Sequence, residues 1–306
     1  MEIGIVGLGR MGSNIVKRLI KKDHKVIAYD IDTETLKSAS SNGAIPVHSL
    51  SDLVMKLVPP RIIWIMLPSG IPTEDVITSL KNLLINGDTI IDGGNSNYID
   101  SIRRNNDLNK LGLIFMDVGT SGGIWGAKQG FSLMIGGDYQ AFQTIEPIFK
   151  ALAPKENKGY GYVGPSGAGH FTKMIHNGIE YGLMQAYAEG FEIMKAKKEF
   201  DLDLYQIAEI WRYGSVVRSW LLELTAHLLK DNQELTNVRG YVDDSGEGKL
   251  AVMEALELGI PAPVMALSLQ RRYQSRQSTS FGAKILESMR NQFGGHPIQA
   301  PKDLKK

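Results

Sequence analysis

The stretch Ile3-Gly4-Ile5-Val6-Gly7-Leu8-Gly9-Arg10-Met11-Gly12 decides how the first half of the chain folds. Ile3 to Val6 is a short apolar run of strand type, and three glycines in G-x-G-x-x-G spacing follow at once. Behind them Ile15, Val16, Leu19 and Ile20 recur at helical spacing. Glycines so placed between a strand and a helix form a dinucleotide fingerprint. Gly7 permits the tight turn, Gly9 lets backbone approach a pyrophosphate, and Gly12 lets the helix pack closely on the strand. Leu8, Arg10 and Met11 complete the loop, and the helix N-terminus then faces the phosphates.

Working outward, Lys25 to Tyr29 reads as the second strand and ends at Asp30. An acidic residue at this position accepts hydrogen bonds from the ribose hydroxyls, and its charge repels a 2′-phosphate. That favours NAD over NADP, with Asp32 adding charge of the same sign. The alternative is that Asp30 merely caps a loop. Arg61 to Leu67, Asp88 to Asp92 and Leu113 to Val118 read as further parallel strands. Three polar or glycine-rich turns leave them: Leu67-Pro68-Ser69-Gly70, Asp92-Gly93-Gly94-Asn95-Ser96 and Val118-Gly119-Thr120-Ser121-Gly122-Gly123. Ligands of open parallel sheets bind beyond such strand ends. Lys128 to Gly137 reads as strand and Ala141 to Phe149 as helix, and the domain closes near Tyr162 to Pro165. The expected architecture is an α/β Rossmann-type doubly wound parallel sheet over residues 1–164, followed by an all-α helical domain over 165–306.

The second decisive stretch is Gly167 to Tyr181, GAGHFTKMIHNGIEY, the start of a long helix. Lys173, His176, Asn177, Glu180 and Tyr181 share one face, where an apolar stripe normally lies. Such a set suits proton transfer on a small polar substrate; the alternative is a solvated surface. Met174, Ile175, Ile179, Leu183 and Met184 occupy other positions and predict an apolar packing face. Further helices are expected over Leu202–Arg212, Val216–Leu229, Leu250–Leu258, Pro261–Arg276 and Phe281–Asn291. The polar stretch Gly240 to Lys249 reads as a loop whose lysine can meet an anion. Arg271, Arg272 and Arg276 on one helix, and Arg290 and His296 around a Phe-Gly-Gly turn, suggest a phosphorylated substrate.

A chain of 306 residues holds two ordinary domains. A net charge of +1 gives no basic field for nucleic acid, so a small-molecule partner is the default. The sequence contains no cysteine, which excludes thiolate chemistry, and six histidines without paired ligand spacing argue against a tightly bound metal. No stretch reads as a membrane span, and the N-terminal residues enter a strand pattern directly, so a cytoplasmic location is expected.

Taken together, GLGRMG, DGGNSNY, GTSGG, KMIHNGIEYG, SGEGK and RNQFGGH resemble the decarboxylating 6-phosphogluconate dehydrogenases, specifically their short form within the β-hydroxyacid dehydrogenase superfamily. The likeness runs from Met1 to about His296. It implies oxidative decarboxylation of 6-phosphogluconate to ribulose 5-phosphate, with Lys173 as general base and Glu180 as general acid. It implies that Asn95, Ser121, Gly122, Gly123, His176 and Asn177 hold the substrate's carboxylate and hydroxyls, and that Tyr181, Lys249, Arg290 and His296 hold or flank its phosphate. Gly7 to Gly12, Asp30, Leu67, Pro68 and Asn95 would hold NAD, with NADP as the second option and no metal. The tail arginine and histidine would come from a neighbouring subunit, implying a homodimer or homotetramer. Two departures stand out: Ala251 replaces a threonine of the longer members, and their arginine on the helix after the Pro-rich break has no clear counterpart here, Arg276 being one candidate among Arg271, Arg272 and Arg276. The rival readings are another β-hydroxyacid dehydrogenase, of the 3-hydroxyisobutyrate type, and a non-catalytic NAD-binding sensor.

Overall fold

Side chains alternate between two apolar clusters along every central strand of a single sheet. On β1 (Glu2–Val6) Ile3 and Ile5 face one cluster and Val6 the other. On β2 (Lys25–Tyr29) Val26 and Ala28 oppose Ile27, and on β4 (Ile62–Ile65) Ile62 and Trp64 oppose Ile63 and Ile65. A strand apolar on both sides must be covered on both faces. Helices α1 (Arg10–Ile20), α2 (Thr33–Ser41) and α7 (Tyr139–Leu152) supply the first cluster, and α3 (Leu50–Lys56), α4 (Ile71–Lys81) and α5 (Tyr98–Asn109) the second.

The computed structural model describes residues 1–299; the end of the Pro- and Lys-containing tail lies outside the described residues. With β3 (Ile45–Val47), β5 (Thr89–Asp92), β6 (Ile114–Ser121), β7 (Ser132–Gly137) and β8 (Tyr160–Gly164), the strand order is β3-β2-β1-β4-β5-β6-β7-β8. All neighbours are parallel except β6 and β7. The segment between those two, which includes the short helix α6 (Gly126–Gln129), is too brief for a parallel crossover. The reversal point between β1 and β4 is where such sheets take a dinucleotide.

Some expectations need adjusting. The turn read over Val118–Gly123 is strand as far as Ser121, because pairing with β7 continues to Ser121↔Ser132. The strand read over Lys128–Gly137 begins only at Ser132. Two strands were not foreseen: β3 is three residues with Pro46 at its centre, and β8 is a glycine- and tyrosine-rich segment read as a connector.

The chain divides into two compact units, which part at Asn177/Gly178 inside helix α8 (Ala168–Ala196). The second unit carries α9 (Leu204–Trp211), α10 (Trp220–Asp231), α11 (Glu247–Glu257), α12 (Pro263–Arg276) and α13 (Phe281–Gly294). Its own core is small: Phe191, Leu204, Ala208, Leu222, Ala226 and Leu229. No helix among the described residues is long and apolar enough to cross a membrane.

Candidate active site

The glycine turn has the shape that its spacing predicts. Gly7 sits at φ +93°, and a Cβ there would lie 2.5 Å from the Met66 carbonyl oxygen. A Cβ on Gly12 would lie 2.0 Å from the Gly7 oxygen, so the start of α1 is pressed onto the turn. At Gly9 a Cβ would meet nothing within 4 Å, which leaves the backbone open to a ligand such as a pyrophosphate. Arg10 is exposed beside it and Met11 half-buried. Asp30 is no mere cap of its loop: its two carboxylate oxygens accept from the amides of Leu8, at 2.5 Å, and Asp32, at 2.9 Å. It ties the glycine turn to the end of β2 and, half-buried, keeps lone pairs for hydroxyl donors. Asp32 is engaged separately as the N-cap of α2. These residues therefore fit an NAD-type dinucleotide.

Asn95 stands exposed at the tip of the turn after β5, where a Cβ on Gly94 would lie 2.7 Å from the Leu67 oxygen. The turns after β4 and β5 are thus in backbone contact, bringing Asn95 close to Leu67, and Pro68 follows Leu67 directly.

Helix α8 starts where it does because of a residue in the sheet. Asp117 on β6, fully buried, accepts from the amides of Gly167 at 2.7 Å and His170 at 2.8 Å, which satisfies orphan donors of the first turn. The helix approaches so closely that a Cβ on Gly119 would lie 2.4 Å from Cβ of Lys173 and 2.7 Å from the Gly169 oxygen. Lys173 and Asn177 are each only 8% exposed. His176 meets Ser121 Oγ through Nε2 at 3.5 Å and Asn177 Oδ1 through Nδ1 at 3.0 Å. Ser121 thus lies beside this face, while Gly122 and Gly123 follow at φ +133° and +53°, values that favour glycine. The expected apolar packing face is not found as such: Met174 is buried, but Ile179, Leu183 and Met184 are 39–50% exposed. The polar face is the buried one.

In the second unit Tyr181, 6% exposed, lies against Gly248, where a Cβ would come within 2.4 Å of its ring. The Arg272 guanidinium stacks on the same ring at 3.6 Å and donates to the Asp243 carbonyl at 2.8 Å. Glu180, Tyr181, Ser245 and Arg272 line a cavity of about 390 Å³. Arg276, a candidate from sequence, is instead paired with the carboxylates of Asp243, at 3.1 Å, and Asp244. These carboxylates hold its pKa above the ordinary arginine value. Lys249 lies in the first turn of α11 and not in a loop, and it is exposed. Arg290 and His296 are also exposed; Arg290 is 3.5 Å from Glu287, and His296 packs edge-on against Phe293.

Comparison with known proteins gives concordant matches over both units. Residues 2–164 match the NAD binding domain of 6-phosphogluconate dehydrogenase, and residues 169–283 match the 6-phosphogluconate dehydrogenase C-terminal domain. An NAD(+)-dependent, decarboxylating 6-phosphogluconate dehydrogenase of Haloferax volcanii is 40% identical over 99% of this chain and 100% of its own length. The Plasmodium falciparum 6-phosphogluconate dehydrogenase, solved as apo form and with NADP+ and 6-phosphogluconate, superposes with a TM-score of 0.83 at 29% identity, covering 99% of this chain and 67% of that one. A Mycobacterium tuberculosis 3-hydroxyisobutyrate dehydrogenase shares the fold, with a TM-score of 0.72, at 18% identity over 94% of this chain and 99% of its own. With both regions matched and full-length relatives of this identity, the chain belongs to the 6-phosphogluconate dehydrogenase family.

Proposed function

We propose that the protein catalyses NAD-linked oxidative decarboxylation of 6-phosphogluconate to ribulose 5-phosphate and carbon dioxide. The observation that carries this reading is helix α8, whose Lys173 and Asn177 are buried, Lys173 against Gly119 of the sheet, while Ile179, Leu183 and Met184 are exposed. Dinucleotide would be held by Gly7 to Gly12, Asp30, Leu67, Pro68 and Asn95, and when bound it supplies the acceptor for the hydride leaving C3. Burial favours the amine form of a lysine over the ammonium. Lys173 as amine takes the C3 hydroxyl proton, so that a 3-keto acid results. The substrate carboxylate is then β to a carbonyl and departs as carbon dioxide, its bonding pair moving toward the carbonyl. Lys173 returns the proton to that oxygen, giving an enediol. Glu180, farther along the same helix, protonates the substrate's C2, which becomes C1 of ribulose 5-phosphate, while the enediol hydroxyl at C3 gives its proton back to Lys173 and the ketone forms. Asn95, Ser121, Gly122, Gly123, His176 and Asn177 would hold the carboxylate and hydroxyls.

Tyr181, Lys249 and Arg272 would take the phosphate, a group for which a 3-hydroxyisobutyrate-type enzyme has no use. Arg290 and His296 would complete that site from a second copy. In support of an oligomer, α13 has no buried residue, and Phe281, Leu286 and Phe293 are 61–77% exposed. The proposal takes 1–164 as the dinucleotide domain, 165–306 as the helical substrate and assembly domain, and the cytoplasm as the location.

The test is initial rate with 6-phosphogluconate against NAD and, separately, NADP. A clear excess of kcat/KM for NAD supports both the reaction and the role of Asp30. An NADP preference overturns the coenzyme assignment, and turnover with neither overturns the reaction and leaves another hydroxyacid substrate or a binding protein. A Lys173→Ala enzyme with near-normal turnover removes the central step.

A further inference from the structure

Arg104 on α5 is 2% exposed and lies in the first unit, behind the turn that carries Asn95. Its Nη1 donates to Asp92 Oδ2 at 2.6 Å and to Ser96 Oγ at 2.9 Å. Its Nε and Nη2 donate to Glu74 Oε1 at 2.9 and 2.7 Å. Asp92, fully buried at the end of β5, is in turn saturated by the turn itself: Oδ1 accepts from the Gly94 amide at 3.0 Å and Oδ2 from Ser96 Oγ at 2.6 Å. These bonds bracket Asn95 on both sides. On the other arm, Glu74 belongs to the first turn of α4, which follows directly on the Pro68–Gly70 turn, and buried Thr73 donates to the Pro68 carbonyl at 2.9 Å. One planar guanidinium therefore fixes two turns at the carboxyl edge of the sheet.

We infer that Arg104 is a positioning residue for the reaction, setting Asn95 relative to Leu67 and Pro68 and so the dinucleotide relative to the substrate. This rests on the proposed function, which places Asn95 in both binding sites. A fork is required for the task. Lysine, a point charge with three donors on one atom, cannot hold the Asp92/Ser96 pair and Glu74 in the same plane. Arg103, its neighbour, meets the same Glu74 and Asp100 but is half-exposed and makes no bond to the Asp92–Ser96 turn, so it serves as the control.

The experiment compares wild type, Arg104→Lys and Arg103→Lys by steady-state kinetics with 6-phosphogluconate and NAD, by thermal melting, and by calorimetric titration with ADP as a probe of the adenine half-site. Arg104→Lys is expected to lose on the order of tenfold to a hundredfold in kcat, the scale of a misplaced reactant pair. ADP affinity should stay unchanged, because the glycine turn and Asp30 do not touch the network. Arg103→Lys should keep kcat. An unchanged kcat in Arg104→Lys overturns the inference, and so does a parallel loss of ADP affinity, which would mark general loosening. If Arg104→Lys does not fold, Ser96→Ala decides: it removes one Arg104 contact, and a lower kcat with intact ADP binding supports the assignment, whereas wild-type kcat refutes it. A wild-type protein that turns over no 6-phosphogluconate falsifies the functional reading separately.

Discussion

Replacing Gly119 with alanine tests the contact on which the site depends. The new methyl would stand 2.4 Å from Cβ of Lys173, short by about 1 Å of the 3.4 Å at which ordinary contact begins. It would also stand 2.7 Å from the Gly169 carbonyl oxygen, a backbone atom. Neither neighbour is the free end of a flexible chain, so α8 must move off the sheet or β6 must bend. Overpacking of this kind costs about 1–3 kcal/mol. For a unit of this size that lowers Tm by about 2–12 °C. The displacement falls on the backbone that carries the proposed base, and a shift of about 1 Å can cost on the order of a hundredfold in rate. The assay is kcat with saturating 6-phosphogluconate and NAD beside a melting curve. Loss of kcat well beyond the loss of folded protein is expected. Wild-type kcat with wild-type Tm would show that β6 and α8 are not in this contact, and the placement of Lys173 would fall with it.

Arg272→Ala should raise KM for 6-phosphogluconate by about tenfold to a hundredfold, the worth of a charge-assisted contact, with kcat less affected. The same change at Arg276 should act mainly by loosening the Asp243–Asp244 loop, and equal KM effects in the two variants would reject the assignment of Arg272 to the phosphate. Acid stability should report Glu74. Burial raises its pKa, but hydrogen bonds and charge from Arg103 and Arg104 outweigh that and hold it below the ordinary 4.5. A folded pKa below the unfolded one adds stability above pH 4.5 that is lost as pH falls through the folded value. The Tm gap between wild type and Glu74→Gln should therefore be widest near neutrality and close below pH 4.5; a gap constant with pH would contradict the ion pair.

What was legible in the sequence was local. The G-x-G-x-x-G turn needs only its own neighbours to be recognised, and Asp30 follows from the length of one βα unit. The polar face of α8 is likewise a matter of helical spacing, although its burial is not. Asp117 was missed as a helix cap because the helix it serves starts fifty residues later, and strand residues carry no capping signature. Arg104 sits in YIDSIRRNNDLN, a helix polar enough to read as solvated on any face; only the tertiary position of Asp92 and Glu74 separates it from Arg103. Arg272 and Arg276 lie one helical turn apart, and spacing alone did not rank them. What distinguishes them is that Asp243 and Asp244 occupy Arg276 while the Tyr181 ring lies beneath Arg272.

The order in which these contacts fall along α8 explains how a polar face can be buried at all. A lysine and a carboxamide taken from water cost free energy unless they are hydrogen-bonded or paired, and partners can meet them only if the helix is held in one place. The helix is fixed by groups that take no part in the proposed chemistry: the Asp117 carboxylate binds its first-turn amides, and the side-chain-free surfaces of Gly119, Gly136 and Gly169 let it lie against β6 and β7. These anchors all precede Lys173 on the helix or lie beneath it. The Lys173 side chain is therefore carried by rigid elements and not by a loop, which is the condition for holding the proposed base within a fraction of an ångström. A side chain at any of the three glycines would trade that position for packing, which is why the glycines, and not only the charged residues, belong to the machinery of the site.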